Sequence, residues 1–137
     1  MSLLTSLDAV DKVYLQVRDT PFTAALRGGL YKMKRPVNSI AEDAVINSLG
    51  MPNKDVQQGV VNLNIHLPNL SLEINGKQDN SQPDFIRAQQ LAALAIQQVK
   101  EFYTEDYWFV FQQQNIIQSD DTEIIVNIRI DFYSQNI

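Results

Sequence analysis

The sequence predicts an α+β domain: a mostly antiparallel sheet with two helices packed on one face, in the order α-β-β-β-α-β-β. Three observations predict it. Val61, Leu63, Ile65 and Leu67 alternate with Asn62, Asn64 and His66, the period of a strand buried on one face. Ile124, Val126, Ile128, Ile130 and Phe132 repeat the plan against Asn127, Arg129 and Asp131. Two other segments carry apolar residues at spacings of three and four, as a helix that covers a sheet requires. No βαβ rhythm calls for a parallel, doubly wound sheet.

The elements follow in order. Leu7, Val10, Tyr14 and Val17 line one helical face over about Thr5 to Arg18, and Thr5 with Asp8 has the form of a capping box. Pro21 and the pair Gly28-Gly29 end this regularity, the glycines being expected to supply unusual backbone angles. Short strands are expected over Leu30 to Arg35 and Ala44 to Leu49, separated by the turn residues around Pro36 and Asn38. The long strand Val56 to Leu67 stops at Pro68. Residues 69–82 are polar and irregular, with a hairpin signal at Asn75-Gly76, and are expected to protrude.

A second helix is expected from about Pro83 to Tyr103, capped by Ser81, with Phe85, Ala88, Ala92, Ala95, Ile96, Val99 and Phe102 on its apolar face. Strands near Trp108 to Gln118 and Glu123 to Ser134 close the chain as a hairpin around Ser119-Asp120-Asp121-Thr122. All 137 residues are read as one domain.

Composition narrows function. A net charge of −5 disfavours a protein whose main task is to grip phosphates. The group Arg27, Lys32, Lys34 and Arg35 reads as a solvated face or a subunit contact. The absence of cysteine excludes disulfides and thiolate metal sites. No run approaches the roughly 18 apolar residues of a membrane span, and the N-terminus does not resemble a signal peptide. Asn and Gln number 25 against 27 charged residues, and their dispersal among periodic elements suits polar protein–protein interfaces or ordinary surface.

No catalytic, cofactor-binding or metal-binding set is expected, and no cofactor. His66 is the one histidine, and its place beside Asn62 and Asn64 suits a hydrogen-bonded surface histidine better than a base. Glu42, Asp43, Glu73, Asp79, Asp120, Asp121 and Glu123 are metal ligands by type, without the alternating spacing of a calcium loop. An enzyme would need an unsuspected site built from Glu42, Asp43 and His66. The aromatic group Tyr103, Tyr107, Trp108, Phe109 and Phe111 lacks the surrounding cations of a base-stacking platform and is expected in the core.

The helix to Arg18, then Gly29-Leu30-Tyr31-Lys32, Arg35-Pro36, Glu42-Asp43-Ala44-Val45-Ile46-Asn47 and Gln58-Gly59-Val60-Val61-Asn62-Leu63-Asn64-Ile65 follow one another in this order. Taken with the element order, these pieces resemble the small tail-terminator or tail-completion (head–tail joining) proteins of long-tailed phages. The protruding segment, second helix and closing hairpin complete the likeness. The resemblance implies a virion structural protein that forms a homo-oligomeric ring, commonly a hexamer, on the tail tube. Its partners would be tail-tube and head-connector proteins, with DNA passing through without specific binding, as the acidic balance suits. Assembly would take place in the cytoplasm of the bacterial host, and the product would belong to the tail or neck of the virion. The competing expectation is a small non-enzymatic binding or regulatory protein of a bacterial mobile element.

Overall fold

The computed structural model describes residues 4–118 and 122–135. Its elements are α1 (Ser6–Val17), α2 (Pro21–Ala25), β1 (Leu30–Lys32), β2 (Asp43–Ser48), β3 (Val56–Pro68), β4 (Leu72–Ile74), β5 (Lys77–Asp79), α3 (Phe85–Val99), β6 (Glu101–Tyr103), β7 (Tyr107–Gln118) and β8 (Glu123–Gln135). Six strands make one sheet in the order β1-β2-β3-β8-β7-β6, and β4 with β5 makes a separate two-stranded sheet.

The alternating strand dictates the layers. Val61, Leu63, Ile65 and Leu67 of β3 share a face with Ile124, Val126, Ile128, Ile130 and Phe132 of β8, all buried. Against that face lie Val10, Val13 and Val17 of α1 and Ala88, Leu91, Ala95 and Val99 of α3. The small Ala88 and Ala95 bring the α3 backbone close to the sheet. Each fully buried Leu, Ile, Val or Phe side chain of this core contributes roughly 1.5–3 kcal/mol.

The expected sheet requires correction. It is mixed, because β1 runs parallel to β2, pairing Leu30 with Ala44 and Lys32 with Ile46. Among the described residues, three helices and eight strands replace the expected two helices and the order α-β-β-β-α-β-β. The parallel pair has a physical cause: the strands are joined by residues 33–42 instead of a tight turn, so the chain can travel back and re-enter in the same direction. Met33 and Asn38, both in the left-handed region at φ 69° and 63°, bend that return path.

Other boundaries shift for local reasons. Pro21 starts α2 rather than only breaking regularity: proline suits the first turn, and the Thr20 N–H donates to Thr23 Oγ1 at 3.0 Å. α3 is capped by Asp84, whose carboxylate accepts from the Arg87 N–H at 3.2 Å, so Ser81 lies outside the helix. The same helix ends at Val99, and residues 101–103 become the edge strand β6, pairing with β7 from Glu101–Val110 to Tyr103–Trp108. Gly28 and Gly29 do not take left-handed angles. Gly28 is needed for space, since a Cβ there would lie 2.5 Å from the Glu42 carbonyl oxygen. The Thr5–Asp8 capping box and the Asn75-Gly76 turn form as expected, with φ 52° and 76° at the turn. The expected turn at Ser119-Asp120-Asp121 lies outside the described residues.

A bulge between Phe111 and Gln113 changes the parity of β7. Phe109 and Phe111 face the helices before it, opposite Phe132 and Ile130; Gln114 and Ile116 do so after it, opposite Ile128 and Val126.

Candidate assembly surface

Among the described residues no helix packs on the second face of the sheet, and its side chains are ordered by strand register. One row across the sheet reads Val45, Asn64, Asn127, Asn115; the next reads Asn47, Asn62, Arg129, Gln113. Asn127 Nδ2 donates to Asn64 Oδ1 at 2.7 Å and to Asn62 Oδ1 at 3.1 Å. Asn62 Nδ2 donates to Asn47 Oδ1 at 3.3 Å, and Asn115 Nδ2 reaches Asn127 Oδ1 at 3.5 Å. Asn62 and Asn127 each both donate and accept, so the ladder crosses four strands without desolvating a charge. It ends on β7. From Gln112 to Gln118 that strand has no further strand beside it among the described residues. At the other end of the face, the Trp108 and Tyr133 rings stack with centroids 5.5 Å apart.

Charged groups gather where β2 and β3 meet the base of the β4–β5 hairpin. Arg35 Nη2 donates to Glu123 Oε1 at 2.7 Å, and Arg35 Nη1 lies 3.8 Å from Asp43 Oδ2. His66 Nδ1 is 3.0 Å from Glu123 Oε2. Asp43 also accepts from the Gly29 N–H at 3.0 Å and from the Ser39 hydroxyl. Beside this network is a cavity of about 680 Å³ walled by Arg35, Ser39, Ile40, Pro68, Ser71 and Asn80. The hairpin hangs from the rim, tied by Asn69 N–H to Thr122 O and Leu70 N–H to Gln82 O, both at 2.8 Å.

Glu42 takes the opposite direction from Asp43, as successive strand residues must. Its carboxylate, 5% exposed, receives a two-pronged donation from Arg87, at 2.7 Å from Nη2 and 2.9 Å from Nε. The Arg27 N–H adds a bond at 3.0 Å. Burial works against the charge on Glu42, but the Arg87 fork and the Arg27 N–H outweigh it and hold the carboxyl below its ordinary value. Arg87 in turn is raised, first through its bonds to Glu42.

Of the three residues an enzyme would have drawn on, the structure brings Asp43 and His66 together as cross-strand partners, linked through Arg35 and Glu123, and turns Glu42 away from them. Glu42 engages α3, Asp43 engages Ser39 and Gly29, and His66 engages Glu123. Glu73 and Asp79 sit on the outlying hairpin, and Asp120 and Asp121 lie outside the described residues. Among the described residues no three His, Cys, Asp or Glu side chains are grouped to hold a metal ion. The basic group disperses: Lys32 pairs with Asp11 at 3.1 Å, Arg35 with Glu123, and Arg27 uses its backbone on Glu42. Lys34 is exposed. Phe109 is buried, Tyr107 packs on Phe132, and Tyr103 is largely exposed instead of joining the core.

Arg87 was hidden to sequence reading, although a signal exists. It is the one charged residue between Phe85 and Val99, and it stands in a first turn whose dipole disfavours a cation. Gln57 was hidden as well: its buried amide bonds both backbone groups of Leu4, at 3.0 and 2.9 Å, pinning the N-terminal segment to β3.

Compared with known proteins, the chain matches no family model, and no curated protein is significantly similar to it. No helix among the described residues is long and apolar enough to cross a membrane.

Proposed function

We propose that this protein is a structural component of a phage or prophage tail, a ring-forming subunit that caps the tail tube and contributes to head–tail joining. The observation that carries the reading is the sheet itself: a broad, amide-rich face without helical cover, bounded by a strand edge open to further pairing. Such a face offers many hydrogen bonds and few charges, which suits association between subunits. The likeness of element pieces to tail-terminator proteins supplies the identity of the partners: further copies of the chain, tail-tube protein and the head connector. The exposed hairpin at residues 69–82 supports the same reading, because it projects from one end of the sheet where a second protein can reach it.

Solution mass tests this directly. A ring-sized oligomer is expected, formed by the protein alone or on adding tail-tube protein. A strictly monomeric chain that never joins tails counts decisively against it. Reversing the charges of Glu73, Lys77 and Asp79 is expected to impair tail completion while leaving the core intact; unimpaired completion removes the hairpin from assembly.

A further inference from the structure

Among the described residues no strand lies beyond β1 or beyond the second half of β7, and these two edges stand at the same height; at β1 the Lys32 carbonyl already accepts from the Lys34 N–H at 2.8 Å. Strand pairing carries the row Leu30, Ala44, Ile65, Val126, Ile116 from β1 at one edge to β7 at the other. The adjacent row runs Tyr31, Val45, Asn64, Asn127, Asn115. β6 blocks only the first half of β7, opposite Trp108 to Val110, and leaves the Gln112–Gln118 half uncovered.

We infer that the subunits join head to tail by adding the open half of β7 to β1 of the next copy, which rests on the ring reading above and names its interface. Three features fit the two edges to each other. Direction is the first: β1 and β2 run one way, β3 the other, β8 back again, and β7 opposite to β1. Rotating a copy about an axis along the strands therefore sets β7 antiparallel to the neighbour's β1, with the helical faces on the same side. The joint is heterologous, as a closed ring requires.

Side chains are the second feature. Ile116 projects on the helical side at 59% exposure, and Leu30 occupies the same row and side at the other edge. Beside Leu30 a groove of about 780 Å³ is bordered by Tyr14, Arg18, Thr20, Pro21 and Ala24. The neighbour's Ile116 enters that groove and is removed from water. On the other face, the amide ladder that stops at Asn115 meets the neighbour's Tyr31.

The third feature is the chemistry of the edge. Natural sheet edges are blunted by charge, proline or bulges; the open half of β7 starts at its bulge, but residues 107–118 contain no charge, proline or glycine. Self-pairing of β1 is discouraged, by contrast, because Lys32 would approach its own copy.

The chain has no cysteine, so introduced thiols report contacts unambiguously. The double variant Tyr31→Cys/Asn115→Cys is expected to give disulfide-linked trimers and larger species under oxidation, while each single variant gives none. Cross-linking by Asn115→Cys alone indicates two-fold pairing of β7 and overturns the inference. Ile116→Lys, at an exposed position, is expected to keep its circular dichroism and melting temperature but lose the wild-type oligomer. A wild-type oligomer that persists in Ile116→Lys and is not trapped by the double variant overturns this interface and leaves the ring reading standing. A wild-type chain that stays monomeric with tail-tube protein present overturns both.

Discussion

At the scale of single residues, the Glu42–Arg87 pair most clearly couples burial to charge. Glu42 is committed to the helical side by strand alternation, and there its charge is tolerable only because Arg87 offers two donors in one plane. Arg87→Ala leaves a buried carboxylate without its counter-charge. A loss of about 3 kcal/mol is expected in denaturant unfolding, the lower part of the range for broken buried pairs because Arg87 is 18% exposed. Replacing both partners with apolar residues of similar size is expected to cost much less, since no charge is then stranded. Neither residue stands out by type; what exposes Arg87 in the sequence is its isolation in an uncharged helix. Its partner could not be found that way, because Glu42 and Asp43 are adjacent acids and only their placement on opposite faces tells them apart.

At the scale of elements, helix ends and tight turns were the most legible parts. The Thr5–Asp8 box satisfies two backbone groups reciprocally, with Asp8 Oδ2 2.8 Å from the Thr5 nitrogen and Thr5 Oγ1 3.1 Å from the Asp8 nitrogen. Thr5→Ala is expected to cost about 1 kcal/mol, a fall in melting temperature of a few degrees. Ser81 failed as the second cap because Asp84, three residues later, is the side chain positioned on the Arg87 N–H. The short strands were illegible for a different reason. Three residues such as Glu101–Tyr103 have no period of their own, and β6 exists because β7 lies beside it. The bulge in β7 is likewise a property of the pair: Gln112 is the extra residue only when the register with β8 is known.

At the scale of the whole molecule, acid should loosen the fold in a predictable direction. The carboxyls of Asp8 and Glu42 are both lowered, Asp8 chiefly through its bond from the Thr5 backbone. A lowered native value means that the unfolded chain takes up protons first as pH falls. Their stabilisation is therefore complete above the unfolded carboxyl range and is lost progressively below about pH 4. Thermal melts from pH 7 to 3 are expected to show a plateau followed by decline. In Arg87→Ala the decline should be shallower, because Glu42 loses the bonds that hold its carboxyl below the unfolded value. Melting temperatures that are flat across this range in the wild type contradict the assignment.

The amino-acid order by itself determined which faces are buried. Alternation in β3 and β8 and the three-and-four spacing of α1 and α3 require a sheet with a helical layer, whatever the path between them. Caps and the Asn75-Gly76 turn are equally local, since each is a bond between residues a few positions apart. Only the tertiary structure decided that β1 runs parallel to β2, that five asparagines from four strands share a ladder, and that Leu30 and Ile116 stand in one row. These facts depend on which strand edges meet, and residues 30 and 116 meet the same row only through three intervening strands. Periodicity reports the face a side chain takes; it carries no information about the neighbour across the next hydrogen bond.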